Sequence, residues 1–325
     1  MNGTKITKAL TTAGLATLAG LAATALGAPA AHAAAVNGKP IAYVRDGVIY
    51  RSDGAGEIRL TEDEVNARPR FSPDGTKLAY LHNGTVWVMG ANGEHKHQVS
   101  DRTAGGPSWS PDGRWIAYSA LSCTGGPGVF RVGVEGGTSS QPLFPAECRD
   151  QAVPEVGYAM EAPTDGSATP AATLADRLRT DDAVAWSPDG TQIAFRGGEC
   201  ESIADNCLSI GHVGTGRERA IDVYGGGGNG TSGFGVVPAW SADGQKVTWT
   251  SHTAKGAAVA VTEADASGAN RRRVGKADDR EMVYAGERTG VLTAARHGRS
   301  WITAVDLATG KRTPLRQGSQ PTVAR

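Results

Sequence analysis

The side chains best able to do chemistry are scattered along the chain. His95 and His97 alternate, a spacing that on a strand sets both imidazoles on one face. Two ligands on an outer rim make an open metal site, so a solvated outer strand is expected. His212, His252 and His297 are far apart in sequence; His252 and His297 are each expected just after a strand that leads into a loop. Asp181-Asp182 and Asp278-Asp279 each precede an expected inner strand, where Asp181, Asp182 and Asp279 are candidates for binding a cation. Acidic residues at strand entries are also ordinary turn formers. The glycine run from Gly225 to Gly228 has no following helix or lysine and reads as a loop rather than a phosphate cradle. With no Gly-x-Ser-x-Gly elbow either, the residues assign no catalytic group, no metal and no cofactor.

The elements that would carry these residues come from a repeat. Phe71-Ser72-Pro73-Asp74-Gly75, Trp109-Ser110-Pro111-Asp112-Gly113 and Trp186-Ser187-Pro188-Asp189-Gly190 share one pattern, and Trp240-Ser241-Ala242-Asp243-Gly244 varies it by one residue. Proline presets φ at the first central position of a turn, aspartate bonds nearby backbone, and glycine accepts the left-handed conformation that follows. An alternating apolar segment follows each copy, so each is expected to be a hairpin whose leading aromatic packs between neighbouring sheets. These residues are therefore read as structural.

The full period is longer than the hairpin. A third strand, Thr85 to Met89 in the first complete unit, leads through Asn92-Gly93 to a polar fourth strand from His95 to Val99. Four strands per unit is the pattern of a propeller blade. Third-strand turns at Asp53-Gly54, Asn92-Gly93, Gly136-Gly137, Thr215-Gly216, Ser267-Gly268 and Thr309-Gly310 mark six units. The N-terminal unit, Ile41 to Thr61, lacks an inner strand, and Pro321 to Val323 at the other end matches one. The expectation is an all-β, six-bladed propeller of antiparallel four-stranded blades, the last closed by both termini so that no sheet edge is left open.

These Ser-Pro-Asp-Gly repeats resemble those of the TolB-like six-bladed β-propellers and the propeller halves of prolyl-oligopeptidase relatives. The resemblance covers nearly all of the chain after residue 33. It implies a protein-binding scaffold, although this sequence leaves no room for the extra N-terminal α/β domain of the best-known TolB proteins. Some secreted propellers with similar repeats are metal-dependent pectin-fragment lyases that gather histidines at the channel mouth. That resemblance implies the alternative, an oligogalacturonate-type lyase using His252 and His297.

Residues 1 to 33 read as a secretory signal peptide. Lys5 and Lys8 give a basic start, residues 9 to 27 are rich in Ala, Leu, Gly and Thr, and Ala31-His32-Ala33 offers a cleavage site before Ala34. An uncleaved anchor is the other reading of a run this short. The expected product is a soluble, secreted or otherwise extracytoplasmic monomer with no membrane span, made of one propeller domain, 34–325. Taking Lys5 and Lys8 from the 33 basic residues leaves 31 against 33 acidic, which argues against nucleic acid as a partner. A protein in the cell envelope is the expected partner.

The interval from Trp109 to Trp186 is 77 residues against 38 from Phe71 to Trp109, so an insertion is expected at about 145–182, with a decayed seventh blade as the alternative. All four cysteines lie near it. An even count in an exported chain suggests disulfides, with three possible pairings; Cys123 with Cys148 and Cys200 with Cys207 is the expected one. No Cys-x-x-Cys pair supports zinc. Blade topology puts the second-to-third loops and the blade links on one face. Expected there are the loop from Leu121 to Gly128, the insertion, the loop from Gly197 to Cys207 and the link from Gly225 to Gly235, which together are the expected binding surface.

Overall fold

The computed structural model describes residue 1 and residues 35–54, 56–151, 182–198, 206–224, 233–253 and 257–325. The chain divides into two compact units, Met1–Ala31 and His32–Arg325, and the fold described here is that of the second.

The repeated turn shows why the chain forms hairpins where it does. The glycine N–H returns to the serine carbonyl at 2.9 Å for Gly75 and Gly113 and 3.0 Å for Gly190 and Gly244. The serine hydroxyl donates to the aspartate, at 2.5 Å from Ser72 to Asp74 and 2.6 Å from Ser241 to Asp243. It also accepts the N–H of the residue that opens the next strand, Lys77 or Lys246, at 2.9 Å. Each turn glycine sits at positive φ, between +69° at Gly113 and +77° at Gly190, where an L side chain would be strained. Hydrogen bonds from the Ser110 hydroxyl and then the Arg114 N–H hold the Asp112 carboxyl down at about 2. The Ala242 copy keeps the whole network, so serine, aspartate and glycine carry the turn and proline is dispensable.

Six sheets result among the described residues. Blade 1 is Asn66–Phe71, Lys77–His82, Thr85–Gly90 and His97–Gln98. Blade 2 is Ser108–Trp109, Trp115–Leu121, Pro127–Gly133 and Gln141–Phe144. Blade 3 is Ala185–Trp186, Gln192–Arg196, Asn206–His212 and Glu218–Tyr224. Blade 4 is Gly233–Trp240, Lys246–Thr253, Ala258–Asp265 and Arg272–Val274. Blade 5 is Arg280–Gly286, Thr289–Arg296, Arg299–Asp306 and Arg312–Gln317. Blade 6 takes its inner strand, Ser319–Val323, from the C-terminal end and pairs it antiparallel with Lys39–Arg45, with Ile41 opposite Val323 and Ala42 opposite Thr322. Val48–Ser52 and Glu57–Arg59 complete that blade. A short strand not foreseen from the sequence, Ala35–Val36, folds back on Lys39–Pro40 through Asn37 and Gly38, both at positive φ.

The core lies between blades. Trp109 packs with Ala79 and Val88 of blade 1 and Ile116, Tyr118 and Phe130 of its own blade. Its indole N–H donates to Arg70 O at 2.9 Å, and the Trp240 indole reaches Ala185 O of the preceding blade at the same distance. The hairpin aromatics are thus buried wedges between sheets, as their position before the turn predicts.

The fourth strand of blade 1 is shorter than the sequence suggests. Only His97 and Gln98 pair, while His95 sits outside the strand at φ +55°. Both ring nitrogens of His97 face backbone carbonyls, of His95 at 3.1 Å and Val134 at 3.0 Å. The two histidines therefore do not form a metal-binding pair on one strand face.

Candidate functional site

The residues singled out from sequence are dispersed around the ring, and most are already engaged. Asp182 is buried and forms a fork with Arg196, with Oδ1 to Nε and Oδ2 to Nη2 both 2.5 Å. Asp279 is buried where the link from blade 4 enters blade 5, accepting from Arg312 at 2.6 and 2.8 Å and from the Lys276 N–H at 2.6 Å. Each carboxylate is thus paired with a guanidinium. His252 lies inside the second strand of blade 4, not after it, with its ring stacked on Phe234 at 4.9 Å. His297 is exposed at φ +49° in the two-residue turn after Arg296 of blade 5. Asp181 and the glycine run Gly225 to Gly228 lie outside the described residues. Among the described residues no three His, Cys, Asp or Glu side chains gather as a metal-ligating group.

Sequence reasoning missed what stands on the axis. Arg68, Val237, Glu281 and Gln320 of the inner strands all have positive φ, +53° to +59°, at bulges where the register with the second strand shifts. Arg68 of blade 1 pairs with Glu281 of blade 5 at 2.7 Å, both side chains buried. Blade 6 lies between those two, so the pair reaches past a blade at the centre of the ring. Gln320 of blade 6 joins it: its Oε1 accepts the Arg68 N–H at 2.7 Å and its own N–H donates to Glu281 Oε2 at 3.0 Å. The Thr293 hydroxyl donates to Glu281 Oε2 at 2.8 Å. Burial alone would raise the Glu281 carboxyl, but Arg68, Arg280, the Thr293 hydroxyl and the Gln320 N–H hold it below the usual carboxylate range.

Gly106 of blade 2 completes the crowding, because a Cβ there would lie 2.7 Å from Ala183 Cβ and 3.2 Å from Arg68 Cγ. On the other side Ala183, Phe234, Val236 and Val237 form an apolar cluster. Among the described residues Arg70, two residues on from Arg68, finds only the carbonyls of Pro69 and Pro321 at 3.0 and 3.4 Å. Burial first, then Arg68, bring its guanidinium down to about 10, with Glu281 acting the other way. The inner strands do carry a sequence signal: Arg68-Pro69 is the counterpart of Gly106-Pro107, Val237-Pro238 and Gln320-Pro321.

The face with second-to-third loops and blade links is held at its roots. In blade 2 the loop proper is Ser122 to Gly126, closed by the Ser122 N–H on Gly126 O at 2.9 Å. Cys123 in this loop is bonded to Cys148, which is buried in the short 3₁₀ turn Ala146–Cys148 where the insertion begins. The expected second bridge falls in part on Cys200, which lies outside the described residues; Cys207 is disulfide-bonded. Residues 152–181, 199–205 and 225–232, the greater part of the expected binding loops, also lie outside them. The root at blade 3 is hydrogen-bonded to blade 4. Tyr224, last residue of blade 3, accepts from the Trp249 indole at 2.7 Å and meets the Ser251 hydroxyl at 2.9 Å.

No protein-family model matches the chain, and no curated protein matches it by sequence. Solved structures do match in shape. TolB from Acinetobacter baumannii superposes with a TM-score of 0.62 at 16% identity, over 88% of this chain and 66% of that one. A putative TolB from Agrobacterium tumefaciens gives 0.57 at 16% identity, over 86% and 90% of the two chains. A chain of a nidogen/laminin complex gives 0.58 at 11% identity, over 89% and 99%. At such identities the likeness is one of fold. The chain is a six-bladed β-propeller structurally similar to that of TolB.

Proposed function

We propose that the protein is a non-catalytic scaffold that acts outside the cytoplasm and binds a protein partner through the loop-bearing face of blades 2 to 4. The observation that carries this reading is the Cys123–Cys148 bond, which ties a second-to-third loop to the root of the insertion. A cross-link there lowers the ordering cost of a recognition surface, and structural disulfides belong to oxidising compartments. The secretory leader read from residues 1 to 33 agrees with that compartment. The propeller in the nidogen/laminin complex supplies a fold precedent for a surface that meets another protein.

A lyase would need His252 and His297 to act together with free channel-mouth carboxylates. Asp182 and Asp279 are instead spent on arginines. The test is capture of a protein from the native cell envelope with three forms of the secreted chain. Replacing residues 150 to 180 by a short Gly-Ser link should abolish capture, whereas His252→Ala and His297→Ala should leave it intact. Undiminished capture by the loop replacement overturns the proposal.

A further inference from the structure

On the rim of blade 2, away from the axis, a cavity of about 590 Å³ opens beside the outer strand Gln141–Phe144. Its volume is that of a small-molecule site, yet its lining is ionic. Among the described residues, Arg102, Arg131 and Arg149 line it together with a single carboxylate, Asp101. That carboxylate is already used, because the Ser140 hydroxyl donates to it at 2.7 Å. Arg102 Nε forms an ion pair with it at 3.5 Å, too long and poorly aligned for a hydrogen bond. Among the described residues neither Arg131 nor Arg149 forms an ion pair. Burial, then the nearby Arg149, lower the Arg131 guanidinium below the usual arginine range.

The three guanidiniums are also held in place. Each lies over an aromatic ring: Arg102 over Phe130 at 4.7 Å, Arg131 over Trp115 at 4.6 Å, Arg149 over Phe144 at 5.6 Å. Arg131 Nε is fixed by Gln141 Oε1 at 2.9 Å, and among the described residues neither Nη group has a hydrogen-bond partner. Arg149 is pinned by Leu143 O at 2.9 Å and Val213 O at 3.0 Å. Such planar, stacked forks have lost their rotamer freedom in advance and match the geometry of carboxylate and phosphate oxygens. The strand edge itself is a poor template for an added peptide strand. Pro142 has no N–H to offer, and Arg149 already caps Leu143 O.

We propose that this cavity binds a small molecule carrying two or more oxyanion groups, bridged between Arg102 and Arg131. The site borders the loop face through Arg102 and Arg149, but its chemistry does not depend on the scaffold reading. Pyrophosphate, citrate and a neutral sugar of similar size serve as probes in calorimetric titration of the full chain at low ionic strength. Saturable binding of pyrophosphate or citrate at one site, with none for the sugar, is expected, and the tighter of the two identifies phosphate or carboxylate as the native chemistry. Arg131→Gln and Arg102→Gln should each weaken it roughly tenfold or more, with Arg131→Lys intermediate because it keeps the charge and loses the fork. Unchanged melting curves for these variants show that the fold is intact. If neither anion binds, or if binding survives Arg131→Gln and Arg102→Gln undiminished, the proposal fails.

Discussion

In blades 1 to 4 the turn from first to second strand is held by a serine and an aspartate two residues apart, and every bond it makes is local. In blade 5 the same turn is Glu287-Arg288, and in blade 6 the two strands come from opposite ends of the chain. There the fastening is ionic and reaches between blades. Arg68 meets Glu281 across 213 positions, and Glu263 of blade 4 takes Arg272 at 2.7 Å together with the Tyr284 hydroxyl of blade 5 at 2.8 Å. Glu57 of blade 6 takes a fork from Arg45 at 2.6 and 2.8 Å, while Arg45 Nε holds Gln317 O of blade 5 at 3.1 Å. Repeated units tolerate change one at a time, whereas a seam made of single, non-repeated contacts concentrates the risk.

Deleting residues 319 to 325 should have the largest effect. It uncovers Ile41 to Val44, removes buried Ala324 from the cluster of Phe71 and Leu78, and takes Gln320 from the axis. A loss above about 4 kcal/mol, read as a collapsed melting transition, is expected. A wild-type melting temperature would show that the seam adds nothing to blades 1 to 4.

Removing one charge from the axis comes next. Arg68→Met leaves Glu281 buried without its guanidinium and should cost roughly 3–5 kcal/mol in denaturant unfolding. The pH dependence carries a sign. Glu281 is held below its unfolded pKa, so its stabilisation is complete above about pH 4.5 and is lost as pH falls through the folded value. Glu263 and Glu57, lowered by Arg272 with Tyr284 and by Arg45 with Tyr43 against their own burial, act in the same direction. Glu281→Gln should therefore flatten part of the acid limb of the stability curve. An acid limb of unchanged slope contradicts this role.

The smallest effect is expected in the regular part. Ala242→Pro restores the residue found in the other three turns and should stabilise by about 0.4–1 kcal/mol through the unfolded chain, seen as a small rise in melting temperature. Destabilisation would show that the fourth turn differs from its siblings despite the shared Ser-Asp bonds.

This contrast also explains what was legible in the sequence. Four turns with the same spacing announce themselves, because their contacts fall within five residues, and Gln320-Pro321 announced the closing strand by matching Val237-Pro238. The Arg68–Glu281 pair could not be foreseen, since nothing local distinguishes a buried ion pair from two solvated charges. Arg102, Arg131 and Arg149 come from a blade link, a third strand and the root of the insertion, and only folding brings them to one cavity. Asp182 and Asp279 show the converse: as members of Asp-Asp doublets they read as cation ligands, while Arg196 and Arg312 pair with them from 14 and 33 residues away.

Closure by the Ser319–Val323 strand has a kinetic side. Val323 must find Ile41 across 282 positions of chain, and joining ends that far apart carries a loop entropy of about 5 kcal/mol beyond the constant term. Contacts of that separation form late, so refolding should pass through a state with blades made and the ring still open. In that state the edge at Ile41 to Val44 will accept the same strand from a second molecule as readily as its own. Recovery from denaturant is then a competition set by dilution: single rings at low protein concentration, exchanged dimers at high concentration. A yield of monomer that does not vary with concentration in size-exclusion runs would show that the ring closes before another chain can intervene.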